Sequence, residues 1–190
     1  MKASLALRGA LSTLVLLVGC RGVDESTASQ NLVVVHETLP GGGGEDAGLL
    51  PNDRVIAFHR AANPPSNPKP FVAPVTSCLD LALLEIEQAP RGAVELVIDR
   101  PRPNGTFSRL RLPIPADEWR IRLRPETART PADRAWESHL RAQIDAAARN
   151  VESAEAAYRE VEAWARSVQD DRLLALVLIN RTRFRLEMQH

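Results

Sequence analysis

Lysine is almost missing from this 190-residue sequence: Lys2 and Lys69 are the only two, and arginine supplies the rest of the positive charge. Lys+Arg and Asp+Glu both number 24, so no net charge draws the chain onto nucleic acid or an acidic surface. Nucleic-acid partners are therefore not expected, and the arginine bias carries no functional reading. Metal-ligand spacing is lacking too, since His36, His59, His139 and His190 stand apart from one another and from Cys78. There is no Gly-x-Ser-x-Gly elbow and no Ser/His/Asp set in a recognisable context. The glycines at 41–44 are not followed by Gly-Lys-Ser/Thr, which excludes a phosphate-binding loop. The expectation is a chain without catalytic residues, metal or cofactor.

Near the N-terminus, "ALSTLVLLV" (10–18) is too short to cross a hydrocarbon core, which takes about 20 residues. With Lys2 and Arg8 ahead of it, the segment has the anatomy of a secretory signal. It ends in "LVGC" (17–20), which resembles a bacterial lipobox. That resemblance implies that residues 1–20 form a lipoprotein signal and that Cys20 is the lipidated residue. The residues by themselves also fit a plain secretory signal with a chance cysteine, or a buried core segment. Two or more acyl chains, at ~0.8 kcal/mol per buried methylene, suffice for stable anchoring. Arg21 stands where an inner-membrane retention signal has aspartate, so the resemblance implies an outer-membrane lipoprotein facing the periplasm or the cell surface. With Cys20 acylated, Cys78 has no disulfide partner and reads as a small core residue.

The composition, 44% hydrophobic and 25% charged, suits one globular domain with a smaller second unit. "RGVDESTASQ" (21–30) is polar and aperiodic and reads as a tether. Residues 31–39 and 54–59 are rich in β-branched residues and read as strands. The proline-dense stretch 61–74 is expected to be a surface insertion without regular structure. Residues 76–90 predict an amphipathic helix, capped by Thr76 or Ser77, carrying Leu79, Ala82, Leu83 and Ile86 on one face and stopped by Pro90. "GAVELVIDR" (92–100), "PNGT" (103–106) and "FSRLRLPI" (107–114) predict a β-hairpin. Residues 115–127 predict an edge strand, with Trp119, Ile121 and Leu123 on one face and Arg120, Arg122 and Arg124 on a solvated one.

At Thr130 the composition turns to Ala, Glu and Arg, and Thr130-Pro131-Ala132-Asp133 opens a helix. Ile144, Ala147, Val151, Ala154, Tyr158, Val161, Ala165 and Val168 keep helical spacing, predicting one long helix or two in succession. Asp170 or Asp171 caps a further helix (172–189) whose start is apolar almost all round and so is expected to be buried.

"PGGGGEDAGLLPNDRVIAF" (40–58) follows a strand and precedes an insertion, a helix and a hairpin. In that order it resembles the bacterial PDZ domain, whose pattern Pro-Gly-Ser-Pro-Ala-x-x-Ala-Gly-Leu-x-Pro-Gly-Asp-x-Ile it follows without a gap, Gly42, Gly43 and Gly44 replacing Ser-Pro-Ala. The resemblance covers about residues 31–114. It implies an α+β fold, a PDZ-like small β-barrel or sandwich with a groove helix (31–127), followed by an all-α tail (130–190). Its turn signature falls on Gly41, Gly48, Leu49, Asn52 and Asp53: Gly48 for tight packing, Leu49 as a core plug, Asn52 for a left-handed turn and Asp53 for capping. If a peptide groove exists, Leu79, Leu83 and Ile86 are its helix side; the alternative is that they face the core. In the bacterial pattern the groove's other side, a strand and a carboxylate-cradling loop, precedes the first strand, where this chain has only "RGVDESTASQ". Residues 154–187 more weakly resemble a tetratricopeptide helix, its turn and the next repeat's first helix, with a plain helical hairpin or coiled coil as the alternative.

These readings combine into a lipid-anchored, non-enzymatic envelope adaptor or scaffold, whose partner is a protein or peptide segment. The tail either packs on the PDZ-like part or pairs with another chain. The alternative is a regulatory part, or a fragment, of an envelope protease system.

Overall fold

Three consecutive valines open β1 (Val33–Thr38), and Val33, Val34 and Val35 are all buried. The structure is a computed structural model that describes residues 32–188 except 66, 93 and 117; the leader, Cys20, the tether and His190 lie outside the described residues. With β2 (Arg54–Arg60), β3 (Phe71–Pro74), β4 (Val94–Pro101), β5 (Phe107–Ile114) and β6 (Ile121–Pro125), β1 forms an antiparallel sheet of order β5-β4-β2-β1-β6, and β3 pairs with β2. The fold is α+β, but the expected barrel or sandwich is an open sheet. β1 pairs with β2 only at Val33 and Val34, and β3 takes Ala57–Arg60 of β2, so the sheet forks there instead of closing.

The proline-dense stretch is not free of regular structure as expected. Phe71, Val72 and Ala73 fit between Pro70 and Pro74 as the short edge strand β3, a position where missing ladder donors are tolerated. In the β4–β5 hairpin, Gly105 takes φ 79° and the Asn104 side chain accepts the Thr106 N–H at 3.1 Å. Asp99–Arg109 and Glu95–Arg111 pair across it. Val97, on the same face as Glu95 and Asp99, is buried between its cross-strand neighbours Ala57 and Arg111.

Helix α1 (Gly43–Asp46) follows the glycine run, and α2 (Cys78–Gln88) follows Ser77, whose hydroxyl accepts the Asp80 N–H at 3.0 Å. Pro90 does not stop α2 abruptly but sits in a single 3-10 turn, Ala89–Arg91. Leu81 of α2 packs into a core with Phe58, Leu96, Ile98, Ile114 and Trp119, the Phe58 and Trp119 rings 6.1 Å apart.

Thr130 and Asp133 form a reciprocal capping box at the start of α3 (Pro131–Ala147). Turns at Arg149 and Gln169, with φ 58° and 56°, lead into α4 (Val151–Ser167) and α5 (Asp171–Glu187), the latter capped by Asp170. The eight-position apolar stripe is therefore broken between two helices: Ala154, Tyr158, Val161 and Ala165 are buried, while Ile144 and Val168 at its ends and Val151 at the break are exposed. The apolar start of α5 is not buried all round either. Leu173, Leu176 and Val177 pack inward, but this helix packs mainly on α4 and part of α3, and Ile179 remains 61% exposed. Glu155 of α4 accepts from Arg181 at 2.7 Å and Arg185 at 2.5 Å, and Arg181 also reaches Glu162 at 2.7 Å. Chiefly the Arg185 hydrogen bond pulls the Glu155 carboxyl down to about 2.

Among the described residues no helix is long and apolar enough to cross a membrane, and no group of three His, Cys, Asp or Glu could hold a metal ion.

Candidate functional site

The signature turn is built as a brace. Gly41, Gly48 and Asn52 have φ 69°, 73° and 74°, conformations that glycine and asparagine reach most easily. At Gly48 this conformation is the whole requirement, because an added Cβ would meet nothing within 4 Å; the expected tight packing is absent. Leu49 is buried, and Asp53, fully buried, accepts the Leu50 N–H at 2.9 Å and a bidentate pair from Arg100 at 2.8 and 2.7 Å. These residues tie the turn to β4.

Tight packing falls on Gly42 and Gly44 instead. A Cβ on Gly42 would lie 2.4 Å from Arg120 Cβ and 2.7 Å from the Trp119 carbonyl oxygen; one on Gly44 would lie 2.6 Å from Ile121 Cγ1. Gly43 and Gly44 donate backbone hydrogen bonds to Glu118 and Trp119 at 3.0 and 2.9 Å. The glycine run is thus the bed on which residues 118–121 lie as they enter β6.

β6 pairs with the outer side of β1, from Thr38↔Ile121 to Val33↔Pro125, with His36 at a register shift. The strand position beyond β1 is filled from the C-terminal side. Trp119 and Leu123 face the core as expected. Arg122, expected on a solvated face, has a side chain only 13% exposed, because α3 lies over it: it pairs with Glu37 and donates to the Gln143 carbonyl. Trp136 of α3 donates its indole N–H to the Leu123 carbonyl at 2.8 Å, so α3 occupies the part of the β6 edge where an added strand would pair.

Between α2, the head of β6 and helices α3 and α5 lies a cleft of about 840 Å³, lined among others by Ala82, Ile86, Ile121, His139 and Ile179. Of the three predicted groove residues, Ile86 lines it at 52% exposure. Leu79 is half-buried against the core and borders a smaller pocket of about 170 Å³ under α3 and α5, and Leu83 is half-buried. At the head of β6, the Trp119 N–H donates to Glu85 Oε1 at 2.9 Å, and the next backbone N–H, that of Arg120, also favours the charged carboxylate. Arg120 takes φ 53°, the left-handed turn that converges successive N–H groups into an anion cradle. Burial pushes the Glu85 carboxyl above its ordinary value despite the Trp119 donor.

Arg183 of α5 reaches Glu118 at 3.5 Å and Arg172 reaches Asp80 at 3.7 Å, joining the tail to both sides of the cleft. On the cleft floor His139 is fully buried, packed 5.1 Å from Trp136 and 6.0 Å from Tyr158, with Nε2 3.2 Å from the Asn180 side chain and Nδ1 unpartnered. Burial lowers its pKa to about 4 and raises that of Tyr158 to about 12. Cys78 is buried and burial raises its thiol far above the ordinary value, so it is an inert core group. His36 and His59 lie in β1 and β2, away from His139. Glu85 of α2 and the Trp136 and His139 pair of α3 have no local sequence signal of a shared site, because two elements far apart in the chain bring them to it.

No protein-family model matches this chain, and neither a curated protein nor a solved structure is similar to it.

Proposed function

We propose that this chain is a non-catalytic, lipid-anchored protein of the bacterial envelope, anchored at Cys20. Its PDZ-like part and helical tail together form a protein-contact unit that takes an extended peptide segment in the cleft between α2 and β6. The observation that supports this reading is the pairing of a cleft of about 840 Å³, with Ala82 and Ile86 on its α2 wall and charged residues along its rim, with a backbone-donor turn at the head of an edge strand. That combination suits a chain end or extended segment, whose carboxylate or carbonyls meet N–H groups while its side chains meet Ala82 and Ile86. The tail belongs to the unit because Trp136 and Arg122 hold α3 against β6.

The test is a screen of the chain from residue 21 onward against peptides with free and amidated C-termini, repeated with Ile86→Arg, which places a charge on the exposed apolar wall. Binding that this change abolishes supports the reading. Absence of binding by the folded protein, or binding indifferent to Ile86→Arg, rejects it.

A further inference from the structure

The turn at Trp119–Arg120 already holds a carboxylate, and it is the protein's own. The Trp119 N–H donates to Glu85 at 2.9 Å, and the left-handed Arg120 shapes the turn that carries it. The cradle is rigidly placed. Its carbonyls are tied to Gly43 and Gly44, and any side chain at Gly42 or Gly44 would push Trp119, Arg120 or Ile121 out of position. Glu85 and Arg120 both line the cleft, so the cradle opens onto it.

We propose that this turn is a carboxylate-binding site that Glu85 occupies in the free protein as a built-in competitor, so that a partner's C-terminal carboxylate binds only by displacing it. The inference rests on the cleft being a peptide site. Its chemistry favours exchange: Glu85 is held in an environment that disfavours its charge, with Glu118 adding repulsion, and release into the cleft returns it to water. A chain-terminal carboxylate entering the turn meets the same Trp119 N–H donor. It extends no further along β6 than the point where Trp136 closes the edge at Leu123, so the ligand's last two or three residues make the contact. An apparent affinity is divided by the fraction of molecules whose site is vacant, so the wild-type protein binds weakly and loss of Glu85 strengthens binding.

The experiment uses the full chain in detergent, as wild type, Glu85→Ala and Glu85→Gln, the glutamine variant keeping the shape of the helix face if alanine disturbs it. Acetate is titrated while the Trp119 and Arg120 amide resonances are followed. An N-acetylated Ala-Ala-Val peptide is titrated in parallel as free acid and as C-terminal amide. The expected result is that acetate moves both resonances in the variants and not in the wild type. The free-acid peptide is expected to bind the variants at least about tenfold more tightly than the wild type, with no gain for the amide. A folded variant whose two amides ignore acetate overturns the carboxylate site. Peptide binding of equal strength in wild type and variants overturns the competitor role while leaving the cleft as a peptide site. Acetate binding in the variants without peptide binding overturns the chain-terminal ligand and the proposed cleft function together.

Discussion

Replacing Gly44 by alanine sets helix propensity against packing. Gly44 lies in α1 without a left-handed backbone, so propensity alone predicts a gain of roughly 0.5–1 kcal/mol. The PDZ-like pattern itself carries alanine at this place. In the structure, however, the new Cβ would stand 2.6 Å from Ile121 Cγ1 and 3.0 Å from the Trp119 carbonyl oxygen. The same carbonyl accepts the Gly44 N–H at 2.9 Å, so moving β6 away to relieve the clash also weakens a hydrogen bond. Overpacking costs ~1–3 kcal/mol and the hydrogen bond ~1 kcal/mol, which outweighs propensity and leaves a net loss of roughly 1–3 kcal/mol. At roughly 2–4 °C per kcal/mol for a chain of this size, Gly44→Ala is expected to melt roughly 2–12 °C below wild type by scanning calorimetry. Gly48→Ala is the control for strain without contact: nothing crowds its Cβ, and its φ of 73° alone costs ~1–2 kcal/mol. A Gly44→Ala protein that melts at or above the wild-type temperature would refute the glycine bed as the reason for this sequence.

His139 makes stability depend on pH. Its folded-state pKa of about 4 lies below the ordinary 6.5, so as pH falls the unfolded chain takes up the proton first. Its contribution is complete above pH 6.5 and lost between 6.5 and 4, to at most about 3 kcal/mol. Thermal melts from pH 7 to 4.5 should show this slope in wild type and a flatter one in His139→Gln; equal slopes would count against it. Glu155, held down at about 2, acts in a lower window: its contribution is present above pH 4.5 and lost as pH falls towards 2. Trp136→Phe keeps the ring and removes the indole donor from the Leu123 carbonyl, with an expected loss of ~1–3 kcal/mol and faster hydrogen exchange at the Ile121 and Leu123 amides. Unchanged exchange there would mean that α3 does not seal the β6 edge.

Local chemistry made much of the architecture legible. The β-branched runs of β1 and β2, the Asn-Gly turn of the hairpin, the Ser77, Thr130 and Asp170 caps and the left-handed Asn52 all follow from properties of a few neighbouring residues. So do the apolar Trp119 and Leu123 face and the buried Cys78. Proline density misled at β3 because the number of prolines matters less than their places, and Pro70 and Pro74 bracket a short edge strand. The 3-4 spacing continued from Ile144 to Val168 across a helix break at 148–150, since apolar periodicity does not register a turn that keeps nearly the same phase.

The candidate site was the less readable part. Ile86 stood out as an apolar helix position, but Glu85 beside it carried no signal, and Arg120 read as one arginine of a solvated row. Their meeting depends on β6 returning past β5 to the free side of β1, a long-range pairing that no local pattern encodes. By itself, then, the sequence determined which segments become strands and helices, where they are capped, and that the turn after β1 needs glycine. Only the tertiary structure decided which strand lies beside β1, that α3 seals the β6 edge, and that the turn on the glycine bed donates a backbone N–H to a partly buried carboxylate. Propensity and capping act over three or four residues, whereas the register of a sheet edge and the burial of a charge are set by surfaces brought together from across the whole chain.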